Sequence, residues 1–280
     1  MPELPEVETV KEGLKGKILG RKIIECQVRW DNIIEYPDKD RFIKEITNKT
    51  IRDITRRGKF ILFHLDEDYL ISHLRMEGKY FIKKENEILN KHDHVIFKLD
   101  NGLELRYNDT RKFGTMHLVK RDELDRTPVS KLGLEPWDKG LTLEYLKEKF
   151  NKKKAIKTLL LDQGIIAGIG NIYANEILFL AGIHPEERGC NLLDKDILEI
   201  IKYTRDIMDR AIKLGGTTVH TYQAVDGITG RFQQELLVHG REGKDCLRCD
   251  SEILKIVVNM RGTYYCPNCQ RKKKIIRDIQ

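Results

Sequence analysis

The chain has 280 residues, of which 40% are hydrophobic and 34% charged, a balance that excludes disordered and fibrous classes. Lysine and arginine (51) outnumber aspartate and glutamate (44) by seven, so a polyanionic partner is favoured, although charge alone fits nucleic acid, ribosome or an anionic membrane surface. The longest apolar runs are too short to span a bilayer, and residues 1–8 carry three acids and no basic segment, which predicts a cytoplasmic protein with no signal peptide.

In chain order, Val7, Val10, Leu14 and Ile18 recur at helical spacing after Pro5 and before Gly20, predicting a leading helix. Segments 21–30, 50–65, 69–82, 94–99, 103–108 and 115–119 are rich in β-branched and aromatic residues and bounded by turn formers. The turn Asp100-Asn101-Gly102 is a hairpin signal. Short strands at this spacing predict an N-terminal β-sandwich. Around 127–138, Pro128, Gly133 and Pro136 punctuate a linker, after which 141–150, 155–162, 171–180 and 194–214 read as helices. Segment 217–230 is polar and loop-like, and strand character returns from Leu236. The expected class is therefore α+β, in three parts: residues 1–130, a helical part 131–235 and a hairpin-bearing tail 236–280.

Six cysteines divide into two strays, Cys26 and Cys190, and two CxxC pairs. Cys246, Cys249, Cys266 and Cys269, with sixteen residues between the pairs, match a four-thiolate site for one Zn²⁺. Because cysteine fills all four positions, none is left for water, and the zinc is expected to be structural. Between the pairs, 253–258, 259–262 and 263–265 read as strand, turn and strand, with Arg261 at the tip.

The N-terminus is unusual chemically. A small second residue favours removal of the initiator methionine, which would leave Pro2 as a secondary amine. An α-amino group titrates near 8, far below lysine, so much of it is a neutral nucleophile at physiological pH. Attack on a sugar C1′ gives an iminium that acidifies the neighbouring carbon and promotes elimination. Glu3 is placed to move protons to the opening sugar. Taken alone, Pro2 and Pro5 are better read as starting a helix, with Glu6 and Glu8 at its positive end.

Residues 1–8, MPELPEVE, resemble the opening signature of the formamidopyrimidine-DNA glycosylase family. The resemblance continues in order through Arg57-Gly58-Lys59, Ser72-His73-Leu74-Arg75-Met76-Glu77-Gly78, Lys91-His92-Asp93-His94, Asp109-Thr110-Arg111-Lys112-Phe113-Gly114, Gly168-Ile169-Gly170-Asn171-Ile172-Tyr173 and the cysteine pairs. It thus covers essentially the whole chain. It implies a bifunctional glycosylase and abasic-site lyase of base excision repair. Such an enzyme acts on 8-oxoguanine and formamidopyrimidines in double-stranded DNA, then cleaves the strand by β,δ-elimination. The implied fold is a β-sandwich with a leading helix, then a helix–two-turn–helix domain ending in a zinc-finger hairpin.

By the same resemblance Pro2 is the Schiff-base nucleophile, Glu3 the proton donor, Lys59 the amine of β-elimination, and Arg261 the residue of δ-elimination and phosphate gripping. Chemistry on a base requires everting it, and an apolar wedge with a cation can fill the gap. Met76, Arg111 and Phe113 match that trio, and the charges flanking Met76 place it on a turn. His92, Lys152 and Asn171 resemble phosphate contacts, while Glu6, Glu77 and the 217–230 loop resemble the surroundings of the everted lesion. Departures from the pattern are Lys154, Arg231-Phe232 and His239-Gly240, which bear on lesion preference. The alternatives are an endonuclease VIII-like enzyme for oxidised pyrimidines, a non-catalytic zinc-containing DNA-binding protein, and an RNA- or ribosome-associated zinc protein. A monomer associated with the nucleoid of a bacterium is expected.

Overall fold

A computed structural model describes residues 1–217 and 230–272. The chain divides into two compact units, Met1–Lys131 with Ala211–Gln233, and Leu132–Arg210 with Gln234–Gln280. Among the described residues no helix is long and apolar enough to cross a membrane.

The first unit opens with α1 (Leu4–Ile18), whose Val7, Val10, Leu14 and Ile18 are buried as their spacing requires. Nine strands follow: β1 (Ile23–Val28), β2 (Ile34–Tyr36), β3 (Ile51–Arg57), β4 (Phe60–Leu65), β5 (Asp68–His73), β6 (Lys79–Lys84), β7 (Asp93–Leu99), β8 (Leu103–Asn108) and β9 (Thr115–Lys120). They form a four-stranded sheet, β1-β7-β8-β6, and a five-stranded sheet, β2-β9-β5-β4-β3. Side chains from both sheets share one core, in which Phe63 of β4 meets Tyr80 of β6 edge to face at 5.6 Å. Between β2 and β3 lies α2 (Lys39–Ile46), absent from the sequence reading; Asp38 caps it at Arg41 N (3.0 Å) and Phe42 and Ile46 bury one face.

Two expected strands are each divided. Segment 50–65 breaks at Gly58-Lys59, where Gly58 takes φ +57 and turns β3 into β4. Segment 69–82 breaks at residues 74–78, closed by Gly78 N donating to Leu74 O (2.9 Å), and this turn sends β5 and β6 into different sheets. The predicted hairpin at Asp100-Asn101-Gly102 joins β7 to β8.

The second unit contains α3 (Leu143–Phe150), α4 (Ile156–Leu160) and α5 (Asn171–Leu180), and α6 (Asp194–Lys213) begins in it. Its last element among the described residues is the hairpin of β10 (Leu254–Val258) and β11 (Arg261–Tyr265). The hairpin turn is two residues, Asn259-Met260, shorter than the four expected. Arg261 is therefore the first residue of β11, paired with Val258.

Candidate catalytic centre and zinc site

At the start of α1, Pro2 and Glu3 are buried, Glu3 only 2% exposed. Glu6 organises this end. Its Oε2 accepts from Glu3 N at 2.8 Å, which satisfies a backbone donor that the first helical turn would leave open. Its Oε1 accepts from Thr217 N (2.7 Å) and Thr217 Oγ1 (3.1 Å), at the root of the segment that the sequence reading assigned to the lesion loop. Residues 218–229 of that loop lie outside the described residues. Gly216, at φ +76, has no room for a side chain, because a Cβ would come within 2.6 Å of Glu6 Oε1.

Lys59 sits on the β3–β4 turn and is only 6% exposed, so it is not the solvated strand charge that its arginine neighbours would suggest. Arg56 holds this turn against α1. Its Nη1 donates to Gly58 O (3.1 Å) and its Nε to Glu8 Oε2 (2.7 Å). Burial alone would raise the Glu8 carboxyl, but hydrogen bonds from Lys11 and Arg56 outweigh it and hold Glu8 below the usual carboxylate range. The ion pair thus links the helix that directly follows Pro2 and Glu3 to the turn that carries Lys59. Sequence reasoning gave Glu8 only a helix-dipole role. Beside Lys59 lies His73, which burial and then the charges of Arg75 and Lys59 push down to about 3. It is neutral at physiological pH, and its Nδ1 accepts from Arg75 N (2.9 Å).

The structure brings Met76, Arg111 and Phe113 together. Arg111 Nη1 lies 2.9 Å from Met76 Sδ, and its guanidinium stands 4.8 Å from the Phe113 ring centroid. Met76 and Phe113 are 40% and 51% exposed, so neither is a core residue. Met76 lies on the 74–78 turn, as its charged flanks predict. The two loops are cross-linked by the hydrogen bond from Thr110 Oγ1 to Glu77 Oε2. They also crowd one ring: a Cβ at Gly78 or Gly114 would overlap Tyr107 Oη, at 2.2 and 1.6 Å.

Asp109, a residue that sequence reasoning left without a role, shapes the loop carrying Arg111 and Phe113. Its carboxylate accepts from Arg111 N (2.9 Å), Phe113 N (3.0 Å) and Gly114 N (2.8 Å). An aspartate heading a polar loop is the available signal, since such side chains commonly capture backbone amides just downstream. His94 Nε2 donates to Asp109 O (2.8 Å), and half-buried His92 accepts Asp109 N at its own carbonyl (3.1 Å). Backbone strain collects here as well. Arg75 (φ +52) precedes Met76, and Lys112 (φ +58) separates Arg111 from Phe113. Residues other than glycine avoid this region, and those that occupy it cluster at functional sites.

In the second unit, Lys152 is exposed on a non-helical stretch between α3 and α4, held by Cys190 N donating to Lys152 O (3.1 Å). Asn171 is the first residue of α5 and donates from Nδ2 to Gly262 O (3.0 Å), next to Arg261. A residue missed in the sequence completes this support. Lys157 of α4 is fully buried and its Nζ donates to Thr263 Oγ1 (2.6 Å) and Gly262 O (3.2 Å). Thr263 Oγ1 in turn donates to Arg261 O (2.9 Å). The backbone that presents Arg261 is therefore fixed from two helices. The available signal is a lysine embedded among Ile156, Leu159 and Leu160.

The four cysteines behave as the spacing requires. Their Sγ atoms all lie within 4.8 Å of one another, including 3.9 Å for Cys246–Cys269 and 3.4 Å for Cys249–Cys266. A tetrahedron with Zn–S near 2.3 Å has S–S edges of about 3.8 Å, so the donor set fits Zn²⁺. Arg248 N and Cys269 N point at Cys246 Sγ and Cys266 Sγ (both 3.4 Å), as the two knuckles need. Buried Glu176 accepts from Leu237 N, Val238 N and His239 N (2.8, 3.1 and 2.8 Å), anchoring the turn that leads to this site. The strand character expected from Leu236 begins only at Leu254, because these amides are spent on one carboxylate rather than on a strand partner. His239 packs on Tyr264 at 5.0 Å, and burial followed by the Lys157 charge pushes it down to about 4.

Three family models match successive parts of the chain. They are the formamidopyrimidine-DNA glycosylase N-terminal domain (residues 1–116), the formamidopyrimidine-DNA glycosylase H2TH domain (132–223) and the zinc finger found in FPG and IleRS (243–271). The formamidopyrimidine-DNA glycosylase of Oceanobacillus iheyensis is 46% identical, covering 99% of this chain and 100% of its own. Crystal structures of a Lactococcus lactis FPG mutant with Fapy-dG-containing DNA and of Lactococcus lactis Fpg with abasic-site DNA are each 42% identical. They superpose with TM-scores of 0.92 and 0.91, covering 97% and 96% of this chain and all of theirs.

Proposed function

Since the chain belongs to the formamidopyrimidine-DNA glycosylase family, whose members are DNA glycosylases and abasic-site lyases of base excision repair, we propose that it excises oxidised purines from double-stranded DNA through Pro2 and then cleaves the strand. The observation that carries this reading is the buried Pro2-Glu3 start of α1, braced by Glu6 and linked through Glu8 and Arg56 to the turn bearing Lys59.

Removal of Met1 leaves Pro2 a secondary amine. Its lone pair forms a bond to C1′ of the damaged nucleoside while the glycosidic bond breaks and its electron pair leaves with the base. The amine N–H proton is then lost, balancing the negative charge of the departing base, and the nitrogen lone pair breaks the C1′–O4′ bond as Glu3 protonates O4′. The resulting iminium cannot lose its charge, so it acidifies C2′. Lys59 serves β-elimination of the 3′ phosphate. Arg261 grips phosphate and serves the δ-elimination that expels the 5′ phosphate. Zinc, bound by Cys246, Cys249, Cys266 and Cys269, supplies no chemistry and holds the hairpin on which Arg261 stands.

The exposed trio Met76, Arg111 and Phe113 suits filling the gap left by an everted base: Phe113 as wedge, Arg111 as hydrogen-bond donor to the orphaned partner, Met76 as an adaptable filler. Glu6 and Glu77 border the lesion, while His92, Lys152 and Asn171 bind phosphates. We read residues 1–130, 131–235 and 236–280 as sandwich, helix–two-turn–helix and zinc-finger domains of a monomer working on the bacterial nucleoid.

Excision assays separate the substrate readings. Release of 8-oxoguanine opposite cytosine in preference to thymine glycol is expected, and the reverse preference would assign the chain to oxidised pyrimidines. Duplex binding without excision, unaltered by Pro2→Gly, would make it a binding protein alone.

A further inference from the structure

The β10–β11 turn consists of two residues, Asn259 at φ +48 and Met260 at φ +57. A two-residue turn with both φ positive is the type I′ geometry, whose second position strongly favours glycine. Asparagine tolerates this region, but methionine has no local hydrogen bond to offset the close approach of its Cβ to backbone. Nor does packing account for it: Met260 is 89% exposed. Neither turn chemistry nor the core thus selects methionine here, and a strained, exposed side chain at a site's edge is a candidate for direct contact.

Its surroundings specify the contact. Met260 directly precedes Arg261, whose backbone is held by Lys157 and Asn171 through Gly262 and Thr263. One pair further down, exposed Val257 faces Gly262, where an added Cβ would meet only Lys255 Cε at 3.7 Å. Val257 lies on the opposite face of the hairpin from Arg261, so the tip presents one exposed apolar side chain, Met260, next in the chain to a single guanidinium. A nucleic-acid backbone offers the complementary pair, since each phosphate is joined to a deoxyribose whose C4′–C5′ edge is apolar.

Building on the DNA-repair reading above, we propose that Met260 is a positioning residue that lies against the deoxyribose next to the phosphate gripped by Arg261. Its flexible thioether follows the sugar and excludes water from the arginine–phosphate hydrogen bonds, which are stronger away from water.

The test is Met260→Gly, which relieves the turn and so separates contact from folding. Zinc content is expected to be unchanged and the melting temperature equal or higher. Binding of a duplex carrying a non-cleavable abasic analogue is expected to weaken about three- to tenfold, the size of losing a modest apolar contact. Because no phosphate contact is lost, the salt slope stays as in the unaltered protein, whereas Arg261→Gln lowers it by about one phosphate. Met260→Leu is expected to restore most of the affinity. If Met260→Gly holds zinc and binds as tightly as the unaltered protein, the inference fails. If the unaltered protein itself does not bind the duplex, the DNA reading fails instead.

Discussion

Glu6 and Thr217, 211 residues apart in sequence, are joined by two hydrogen bonds from the threonine amide and hydroxyl to one carboxylate oxygen. The other oxygen of Glu6 holds Glu3 N. One side chain thus fixes both the residue next to the proposed nucleophile and the base of the proposed lesion loop. Glu6→Ala leaves three donors without their acceptor and is expected to lower stability by about 3 kcal/mol, read by urea denaturation. Glu6→Gln keeps the size but turns an amide NH₂ toward a donor. It is expected to cost less stability than alanine while still lowering base release more than tenfold; full activity in Glu6→Gln would remove Glu6 from the site.

Lys157 tests the support of Arg261. Lys157→Met keeps the volume but removes the donor to Gly262 O and Thr263 Oγ1. Because the mutant is expected to keep zinc and release base at a near-normal rate, its defect should fall on the second elimination, with β-product accumulating over β,δ-product. Equal product ratios in mutant and unaltered protein would show that Arg261 does not depend on this lysine.

Zinc removal tests the hairpin. Stripping the metal with a chelator, or Cys246→Ser, is expected to open residues 236–272 to proteolysis and abolish duplex binding, since a metal site this small contributes its binding energy to folding. The sandwich core is built from other residues and is expected to stay protected. Normal strand cleavage by the metal-free protein would contradict the role given to Arg261.

His73 predicts a pH dependence of stability. Its folded value, about 3, lies below the unfolded 6.5, so the unfolded chain binds the extra proton between these limits. Its contribution is present above pH 6.5 and is lost as the pH falls toward 3; at pH 5 the loss is about 2 kcal/mol. His73→Gln, which has no titrating ring, is expected to flatten the stability–pH curve by close to one proton between pH 4 and 6. An unchanged slope would mean that His73 is not held neutral.

What the sequence made legible follows from where the controlling interactions lie. Zinc ligation was readable because two CxxC knuckles carry their geometry locally. The leading helix was readable from the spacing of Val7, Val10, Leu14 and Ile18, and the strands from their composition. The turn at residues 74–78 was legible in the charges flanking Met76, but the division of 69–82 into β5 and β6 in different sheets was not, because sheet membership depends on strands β8 and β9 that pair with them from elsewhere in the chain. α2 went unread although Asp38 caps it, since its two buried residues give too short a pattern. Among site residues, those in contiguous motifs were legible by resemblance. Lys157, Asp109, Glu8 and Glu176 were not assigned their structural roles, as each acts by holding backbone or a charge that only the fold brings near, over 100 residues away for Lys157.

The central claim is covalent attack by Pro2. The most direct measurement is borohydride trapping on a duplex carrying 8-oxoguanine opposite cytosine, with mass mapping of the linked peptide. The account predicts a covalent protein–DNA band that maps to Pro2 with Met1 absent, and a weaker band for Pro2→Gly, whose primary amine replaces the secondary one. A band that maps elsewhere, or no band from protein whose N-terminus is confirmed to be Pro2 and which binds the duplex, would contradict it.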